Sequence, residues 1–466
     1  MLKTFNISIV YMKTLFYTLI FLQLFSLSHA QSSIKVKVVG RSKTVSKETI
    51  PLTLSDTLSY LKKLSKQRPY EDLNYDYGSE FIPSPRKGAL GWQDNNGNFW
   101  IFGGIGIDDD YNTGLFQDLW TFNPLKSAWT LVKGDRKVIV EKDFTSKEIP
   151  LPRRDAMTWV DKNGDLWLYG GRDFGDNLHY GDMWKFTLKT KTWSNTAGTK
   201  EFNKKSSRTG IKKSSKDDTP GGRSLSSTWN DTDGNLWLFG GTGIKDLGQN
   251  AFYNDLWLFD PKKGQWTWVS GSSLQNVKTN NSQKNKEDNN QQPSPRMKAL
   301  TWYDRLNNQL WLYGGYGVDS TGNQSGGLSD MWYYDIKKDT WVWVSGTLKL
   351  FESPEYGMFN REIEQSHPGF RFGSVSWTDK EGDLWLFGGH NSTSGEHISI
   401  DANLWRFNRK NKRWANAINQ FSIDLIEDNC SFEDSEGNIF LFGGQQWDTY
   451  KNQTRPTNDI WKITTK

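Results

Sequence analysis

An all-β fold is predicted for this chain, a six-bladed β-propeller of four-stranded antiparallel blades, and three observations predict it. A Gly-Gly pair recurs six times, each pair follows an apolar run such as "NLWLF", and four short segments rich in aromatic and β-branched residues recur around each pair. Asn, Asp, Gly or Pro bound these segments, as is typical of strands joined by tight turns. Repeats of four strands without helical spacing between them favour a radial arrangement, which protects the sheet edges. The Gly-Gly pairs stand at positions 103/104, 170/171, 240/241, 314/315, 388/389 and 443/444.

The third repeat shows how the four strands are assigned. Strand 1 is "SLSSTW" after Arg223, strand 2 is "NLWLF" after the turn "DTDG", strand 3 is "DLWLFD", and strand 4 is "QWTWVSG". By the same alignment all but one of the 24 tryptophans fall on predicted strands, and only Trp447 lies outside the pattern. Because a packed tryptophan buries about 150–250 Å², these residues are expected to form the core between blades rather than a binding surface.

The first thirty residues have the pattern of a secretory signal peptide. Lys3 and Lys13 precede an apolar run over residues 15–27, and "SHA" at 28–30 supplies the small residues of a cleavage site. We therefore expect a mature chain that begins at Gln31 and is secreted or held at the cell surface. A membrane anchor is the alternative, but the run is shorter than the ~20 apolar residues that span a bilayer. In an exported chain, six Asn-X-Ser/Thr sequons are candidates for glycosylation. They are Asn230, Asn280, Asn323, Asn391, Asn429 and Asn452.

The sixth repeat lacks a fourth strand at the C-terminus, because only three residues follow "NDIWKI". The segment "SIKVKVVG" at 33–40 alternates apolar and lysine residues and ends like the fourth strands of the other repeats. We predict that it supplies the missing strand and closes the ring. The predicted organisation is a signal peptide over 1–30, a closing strand and linker over 31–85, and the propeller over 86–466.

The longer connections are expected to gather at one end of the propeller. In an up-and-down blade, the connection between strands 2 and 3 and the crossover from strand 4 to the next blade emerge at the same end. The long segments 105–117, 199–222, 272–295 and 347–370 are all connections of these two kinds. If the loops carry the function, it belongs to that end.

The order of an Arg, a Trp, "DGNLWLFGG", "DLWLFD" and "WTWVSG" resembles the kelch-repeat β-propeller family, whose marks are a Gly-Gly pair after an apolar strand and a spaced Trp later in the repeat. The resemblance covers about residues 86–466. It implies a propeller that binds proteins or other ligands, although a minority of such propellers resemble galactose oxidase, a copper radical enzyme. We therefore expect a non-catalytic binding module for a protein or glycan partner, with an enzyme using the channel mouth or a purely structural adhesion component as the alternatives.

An arginine begins the first strand of five repeats, six residues before the strand 1 Trp, and is expected near the channel mouth. Such a ring is either an anion site, for a phosphate, sulfate or acidic sugar, or an internal brace to the acid or amide that begins each third strand. One Arg and one acid per repeat favours the brace, and the sixth repeat has Ile426 in place of the Arg. The arginines are Arg86, Arg153, Arg223, Arg296 and Arg371, and the facing residues are Asp118, Asp182, Asp255, Asp330, Asn403 and Asp459.

The histidine and cysteine residues available for catalysis argue against an enzyme. The histidines outside the signal peptide show no His-Glu-x-x-His spacing. The resemblance to galactose oxidase would require two His and two Tyr copper ligands and a Cys–Tyr thioether, and the single cysteine, Cys430, has no Tyr near it in the sequence. Cys430 is instead expected to be a small buried hydrophobe on strand 1 of the last repeat. No cofactor is predicted; the alternative is calcium in the acidic loop of Asp108, Asp109 and Asp110.

The net charge of +5 predicts a solvated basic surface, because no nucleic-acid-binding motif accompanies it. No specific nucleic-acid partner and no transmembrane segment are expected. The lysine-rich crossover at 203–218 is expected to project as a flexible basic loop, with contact to a polyanion as its functional alternative.

Trp447 is the one tryptophan that the scaffold does not explain. It follows the last Gly-Gly pair in "GGQQWDTYKNQTRPT", in the same loop as Tyr450 and Arg455. Trp, Tyr and Arg dominate binding energies, so the loop is a candidate for stacking on a sugar or anchoring a protein. Alternatively, Trp447 folds back and plugs the channel mouth beside Ile426.

Overall fold

The structure is a computed structural model, and it describes residues 34–38, 82–139, 148–244, 250–279, 283–288, 291–358, 361–391, 403–418, 428–448 and 453–465. All of the regular secondary structure within these ranges consists of β-strands. The predicted all-β class is confirmed. No helix long and apolar enough to cross a membrane occurs among the described residues.

Six antiparallel sheets, I to VI, follow one another along the chain, and each uses the strand order 1-2-3-4. Sheet I comprises Leu90–Gln93, Phe99–Phe102, Leu119–Asn123 and Ala128–Lys133. Sheet II comprises Met157–Val160, Leu166–Tyr169, Gly181–Thr187 and Thr192–Thr199. Sheet III comprises Ser227–Asn230, Leu236–Phe239, Leu256–Asp260 and Gln265–Ser270, with Ser214–Ser215 as a fifth strand beside the fourth.

Sheets IV and V repeat the pattern, and sheet VI differs in the source of its fourth strand. Sheet IV comprises Leu300–Asp304, Gln309–Tyr313, Met331–Asp335 and Thr340–Ser345. Sheet V comprises Val375–Thr378, Leu384–Phe387, Leu404–Asn408 and Arg413–Ile418. Sheet VI comprises Cys430–Glu433, Ile439–Phe442, Ile460–Thr465 and, from the N-terminal part of the chain, Ile34–Val38.

The N-terminal strand lies where the sequence places it. Ile34–Val38 pairs antiparallel with Ile460–Thr465, with Val36 opposite Ile463. One strand of sheet VI therefore comes from the N-terminal part of the chain and the rest of the sheet from the C-terminal part, which is a contact of very high sequence separation. The strand adds backbone hydrogen bonds to an edge that would otherwise stay open.

Small hairpins extend strands 2 and 3 beyond the Gly-Gly pairs, and in two repeats a short strand at the arginine joins them. They comprise Arg86–Lys87, Ile105–Ile107 and Thr113–Leu115; Thr242–Ile244 and Asn250–Phe252; Arg296–Met297, Tyr316–Val318 and Ser325–Gly327; and Gln445–Asp448 and Gln453–Pro456.

The Gly-Gly pair is explained by a contact between sheets. Gly240 and Gly241 have φ of 66° and 95°, a region that side chains rarely adopt. The N–H of Gly241 donates to the carbonyl of Arg296 in the next repeat at 2.8 Å, and a Cβ on Gly240 would lie 2.6 Å from that same oxygen. The second glycine makes the same bond to the next repeat's arginine from Gly104, Gly171 and Gly315, and Gly444 makes it to Arg86 of the first repeat at 2.9 Å.

Each pair of neighbouring sheets encloses a hydrophobic cluster. The strand 1 Trp also donates a hydrogen bond to the next sheet; the indole N–H of Trp92, for example, lies 2.7 Å from the carbonyl of Trp167. Five clusters join consecutive sheets. A sixth joins sheet VI to sheet I, where Phe432 stacks on Phe99 with ring centroids 4.6 Å apart. Eighteen tryptophans of the described ranges are buried, and these belong to the scaffold.

Candidate functional site

The longer connections leave the sheets at one end. Because the strands run 1-2-3-4 in antiparallel order, the strand 2–3 connection and the crossover after strand 4 lie at the end where strand 1 begins. We call this the loop-rich end and the other the opposite end. The predicted arginines, Trp447 and the small hairpins all belong to the loop-rich end.

Four of the predicted arginines are buried and paired within the protein. The pairs are Arg86–Asp118, Arg153–Asp182, Arg223–Asp255 and Arg296–Asp330, with N···O distances of 2.5–2.7 Å for the closest atoms. The same aspartates accept the indole N–H of the strand 3 Trp, as Asp330 does from Trp332 at 2.7 Å. Each carboxylate therefore joins strand 1 to the core of strand 3. This geometry supports the internal brace.

The donors of these arginines are occupied by protein acceptors. In Arg296, Nε donates to the Ser294 carbonyl, Nη1 to the Gly314 carbonyl and Asp330, and Nη2 to the Ser294 hydroxyl and Asp330. With its side chain fully buried, no part of this guanidinium faces a solvent-borne anion. Arg371 is equally buried, and Asn403 takes the position of the aspartate in its sheet. Ile426 lies outside the described residues.

A belt of backbone hydrogen bonds runs from repeat to repeat just beyond the arginines. The residue two positions after each arginine, or after Ile426, has a positive φ, between 52° and 70° across the six repeats. Such a conformation costs a non-glycine residue about 1–2 kcal/mol. In four repeats the N–H of this residue donates to the carbonyl of its predecessor: Gly88 to Asp428, Asp155 to Gly88, Leu225 to Asp155 and Lys298 to Leu225, at 2.9–3.1 Å.

Two charge clusters lie on this belt. Arg154 and Arg172 each contact both Asp155 and Asp176, so that two guanidinium groups and two carboxylates form one network. Burial lowers the pKa of Arg172, but Asp155 and Asp176 outweigh it and the pKa is raised. The two positive and two negative charges of the network balance.

The second cluster spans two repeats that are not consecutive. Lys298 precedes strand 1 of sheet IV, Asp428 precedes strand 1 of sheet VI, and their side chains form an ion pair. Burial raises the pKa of Asp428, but the Lys298 ammonium outweighs it and holds the pKa below its ordinary value. The pair connects two sheets without passing through sheet V.

Beside the charges lies a row of aromatic side chains from sheets III to V. Tyr316 contacts Phe252 and Phe372 with centroid distances of 6.0 and 5.6 Å, and Phe372 stacks on His390 at 4.7 Å.

His179 of sheet II is fully buried, and neither ring nitrogen has a hydrogen-bond partner. Burial, with a further contribution from Arg172, lowers the pKa of His179 to about 4.

The Trp447 loop is described in part. Trp447 lies in a hairpin strand opposite Thr454, and Gln446 lies opposite Arg455. Arg455 is half-buried, and Tyr450 lies outside the described residues. The ligand site and the plug at Trp447 both stay predictions.

The acidic loop is satisfied by protein groups. The Asp108 carboxylate accepts the N–H groups of Asp110, Asn112 and Val138. Asp109 pairs with Arg136 at 2.7 Å and Asp110 with Lys137 at 3.3 Å. Over the described ranges, no three His, Cys, Asp or Glu side chains are grouped to hold a metal ion.

The expected projection of the basic crossover at 203–218 is wrong. Ser214–Ser215 pairs with the edge of sheet III, and the Arg208 guanidinium lies 4.4 Å from the ring centre of Trp268. The crossover is thus held to sheet III in two ways. The Arg208 guanidinium makes a cation–π contact with the partly exposed Trp268 indole, and Ser214–Ser215 pairs with the open edge of the sheet. The lysines remain exposed on this folded segment.

The exposed apolar side chains concentrate on the connections of the loop-rich end. Among the described residues, ten large hydrophobic side chains are exposed, and eight of them belong to strand 2–3 connections or crossovers. They are Tyr111, Phe174, Phe202, Ile211, Leu274, Phe351, Tyr356 and Met358. The other two, Leu125 and Leu306, lie in turns of the opposite end.

Sequence reasoning missed the charge network, although "RRD" at 153–155 is a local signal for it. The first arginine of that triplet is the buried brace, and the next two residues turn outward to meet Arg172 just after the Gly-Gly pair. No protein-family model matches this chain.

Proposed function

We propose that the chain is a six-bladed β-propeller of the kelch type, exported by its N-terminal signal, that binds a protein or glycan ligand through the loop-rich end without catalysing a reaction. Sheets I to VI are its blades, and the N-terminal strand closes the ring.

Contacts between the last and first sheets support the ring. The cluster around Phe99 and Phe432 joins sheet VI to sheet I in the same way as consecutive sheets are joined. The Gly444 N–H donates to the Arg86 carbonyl, as the equivalent glycines do along the chain. A linear row of sheets would leave both of these partners unmatched.

The distribution of exposed apolar side chains carries the binding proposal. Eight of the ten are on connections of the loop-rich end, and three of these eight are Phe and two are Tyr. Aromatic residues and Met are enriched at recognition surfaces, where their burial supplies most of the binding energy. Phe202, Phe351 and Tyr356 also contact the rings of Tyr180, Phe370 and Trp405, and each of the three still keeps more than a third of its surface exposed.

The exported protein is screened against a glycan array and against a phage-displayed library of linear peptides. A loop-rich variant replaces Tyr111, Phe174, Leu274 and Met358 by Ser. We expect it to lose at least about tenfold in affinity for the ligands found, which is about 1.4 kcal/mol.

The matched control replaces Leu125 and Leu306 by Ser at the opposite end. We expect wild-type affinity, because the same chemical change is made away from the proposed surface. A screen without ligands of either class, or a loss confined to the control variant, would refute the proposed function.

A further inference from the structure

The crossover from sheet II to sheet III, residues 199–222, carries most of the net charge of the chain. Its seven basic and three acidic residues give it a net charge of +4, whereas the whole chain has +5. All six of its lysines are exposed. They are Lys200, Lys204, Lys205, Lys212, Lys213 and Lys216. Positive charge is thus concentrated on one connection of the loop-rich end.

Within this crossover, residues 206–220 form a hairpin against the outer edge of sheet III. Ser207 and Thr219 form an antiparallel bridge in it, and Ser214–Ser215 pairs with the fourth strand of the sheet. The backbone N–H of Lys212 also donates to the Trp268 carbonyl at 2.7 Å. The lysines therefore project from an ordered backbone, and a ligand that pairs with them does not have to order this segment first.

A buried carboxylate holds the two arms of the hairpin together. Asp218 accepts the backbone N–H and the hydroxyl of Thr209 at 2.7 and 2.9 Å, and the N–H of Ser215 at 3.1 Å. Its side chain is buried while the neighbouring lysines are exposed. Its negative charge is one of the three already counted in the net charge of +4.

The basic residues of the crossover outnumber the carboxylates around them. Within the crossover, Glu201 pairs with Lys204 at 2.7 Å. From outside it, Asp339 of sheet IV pairs with Lys212. When Asp339 is added to the three acids of the crossover, and all four are taken as charged, the net charge is still +3. This surface therefore favours an anionic partner.

Arg208 belongs to the fold of the hairpin rather than to its exposed surface. Its guanidinium lies 4.4 Å from the ring centre of Trp268 and 3.6 Å from Asp255. Asp255 is the buried ion-pair partner of Arg223, so these two residues together add no net charge. Without Arg208, the six lysines still exceed the four carboxylates by two.

The other side chains of the hairpin suit a sugar chain. Residues 206–220 contain four serines, two threonines and no aromatic residue. Lys213 and Lys216 flank Ser214–Ser215, and neither has an ion pair among the described residues. Hydroxyl groups can donate to and accept from sugar hydroxyls, whereas single-stranded nucleic acids stack their bases on aromatic side chains. The Trp268 indole beside the hairpin is covered by Arg208.

We propose that the crossover 199–222 binds an anionic polysaccharide whose sulfate or carboxylate groups pair with its lysines. The inference rests on the proposed binding function and adds a site and a ligand chemistry to it. Lysine ammonium groups are compact charges on flexible stems, so they adjust to the spacing of the anionic groups along a sugar chain. The serine and threonine hydroxyls hydrogen-bond the sugar between these groups.

The exported protein is titrated by calorimetry with two probes. A heparin oligosaccharide carries sulfate and carboxylate groups, and a hyaluronan oligosaccharide carries carboxylate groups alone. We expect heparin to bind, and its affinity to fall as the NaCl concentration rises from about 50 to about 200 mM. Binding of heparin alone would identify sulfate as the required group, and binding of both probes would show that a carboxylate is sufficient.

A lysine variant locates the site by combining Lys205→Ser, Lys213→Ser and Lys216→Ser. We expect heparin to bind it at least about tenfold more weakly than the wild type. The dependence of log Kd on log[NaCl] should also become shallower, because fewer ion pairs form. All three side chains are exposed, so the melting temperature should be that of the wild type.

The matched control combines Lys126→Ser, Lys189→Ser and Lys380→Ser, which change three exposed lysines in turns of the opposite end. It has the same net charge as the lysine variant. We therefore expect wild-type affinity for heparin, because the crossover is intact. Equal losses of affinity in the two variants, or wild-type affinity in the lysine variant, would overturn the inference.

Three further outcomes separate this inference from the proposed function. Tighter binding of a DNA duplex than of either oligosaccharide would overturn the choice of ligand. If neither oligosaccharide binds, but the loop-rich variant loses affinity for neutral glycans or peptides, the inference fails and the proposed function stands. The absence of any ligand would remove both.

Discussion

Arg296 and Asp330 form a bidentate, fully buried ion pair, with Nη1–Oδ1 at 2.6 Å and Nη2–Oδ2 at 2.7 Å. The arginine precedes strand 1 of sheet IV and the aspartate precedes strand 3, so the pair ties together the segments that lead into these two strands. Two parallel charge-assisted hydrogen bonds give this contact both strength and a defined geometry. The same pair recurs in sheets I, II and III.

Arg296→Ala is expected to destabilise the protein by about 3–5 kcal/mol, because it leaves the Asp330 carboxylate buried without its counter-charge. The free energy of unfolding, measured with denaturant, checks this. Arg413→Ala is the control, since that arginine is 46 % exposed and 3.8 Å from Glu364, and we expect less than about 0.5 kcal/mol there. An Arg296→Ala variant of normal stability that has lost affinity for an anion would favour the anion site instead.

Deleting residues 31–40 is expected to lower the melting temperature cooperatively. The deletion removes the strand that pairs with Ile460–Thr465 and exposes the backbone groups of that edge. Calorimetry of the deleted and intact chains measures the change. Deleting residues 51–60 is the control, because the paired strand is kept. Equal melting curves for the 31–40 deletion and the intact chain would show that this strand does not support sheet VI.

The repeats could be predicted from sequence because their signals are local. Each second strand ends at a Gly-Gly pair, and both glycines of the pair at 240/241 have the positive φ that makes glycine necessary. Turn residues such as Asp231, which accepts the backbone N–H of Asn235 and the indole N–H of Trp237, also lie within a few residues of the strands they join. The number of strands in each repeat and the pairing of the arginines with the aspartates can be predicted from such signals.

Other features depend on contacts between distant residues and leave no local trace. Ser214–Ser215 pairs with the edge strand of sheet III, while its own composition is that of a loop. Phe351 is an ordinary phenylalanine in sequence, yet it adopts a φ of 56° where its ring packs against Gly326 and Phe370. This conformation therefore could not be predicted from the repeat pattern.

Cys430 is expected to resist alkylation in the folded protein. Its thiol is buried on strand 1 of sheet VI and lies 3.2 Å from the Ala89 carbonyl, and burial raises its pKa to about 12. At pH 8 almost no thiolate exists, and the thiolate is the reactive form. Mass spectrometry after iodoacetamide treatment should show modification only when denaturant unfolds the chain. Rapid labelling of native protein would contradict the burial of this strand.

The stability of the protein is expected to fall as the pH decreases from 7 to 5, and His179 is one cause. Its pKa is about 4 in the folded protein, because burial opposes the charged form, and about 6.5 in the unfolded chain. Between these values the unfolded chain binds a proton that the folded protein does not, so acid favours unfolding. The stabilisation is complete above pH 6.5 and is lost progressively towards pH 4. Over the range from pH 7 to pH 5 the loss from this one residue is about 2 kcal/mol.

His179→Leu tests this contribution, because Leu115 and Phe252 occupy the corresponding hairpin position in sheets I and III, opposite Ile105 and Thr242 as His179 is opposite Arg172. The substitution removes two buried nitrogens without hydrogen bonds, so we expect equal or greater stability at pH 7. The difference between the unfolding free energies at pH 7 and pH 5 should shrink by about 2 kcal/mol relative to the wild type. Denaturant titrations at the two pH values measure it. A variant whose stability falls with pH as steeply as that of the wild type would show that His179 is protonated in the folded protein or accessible to solvent.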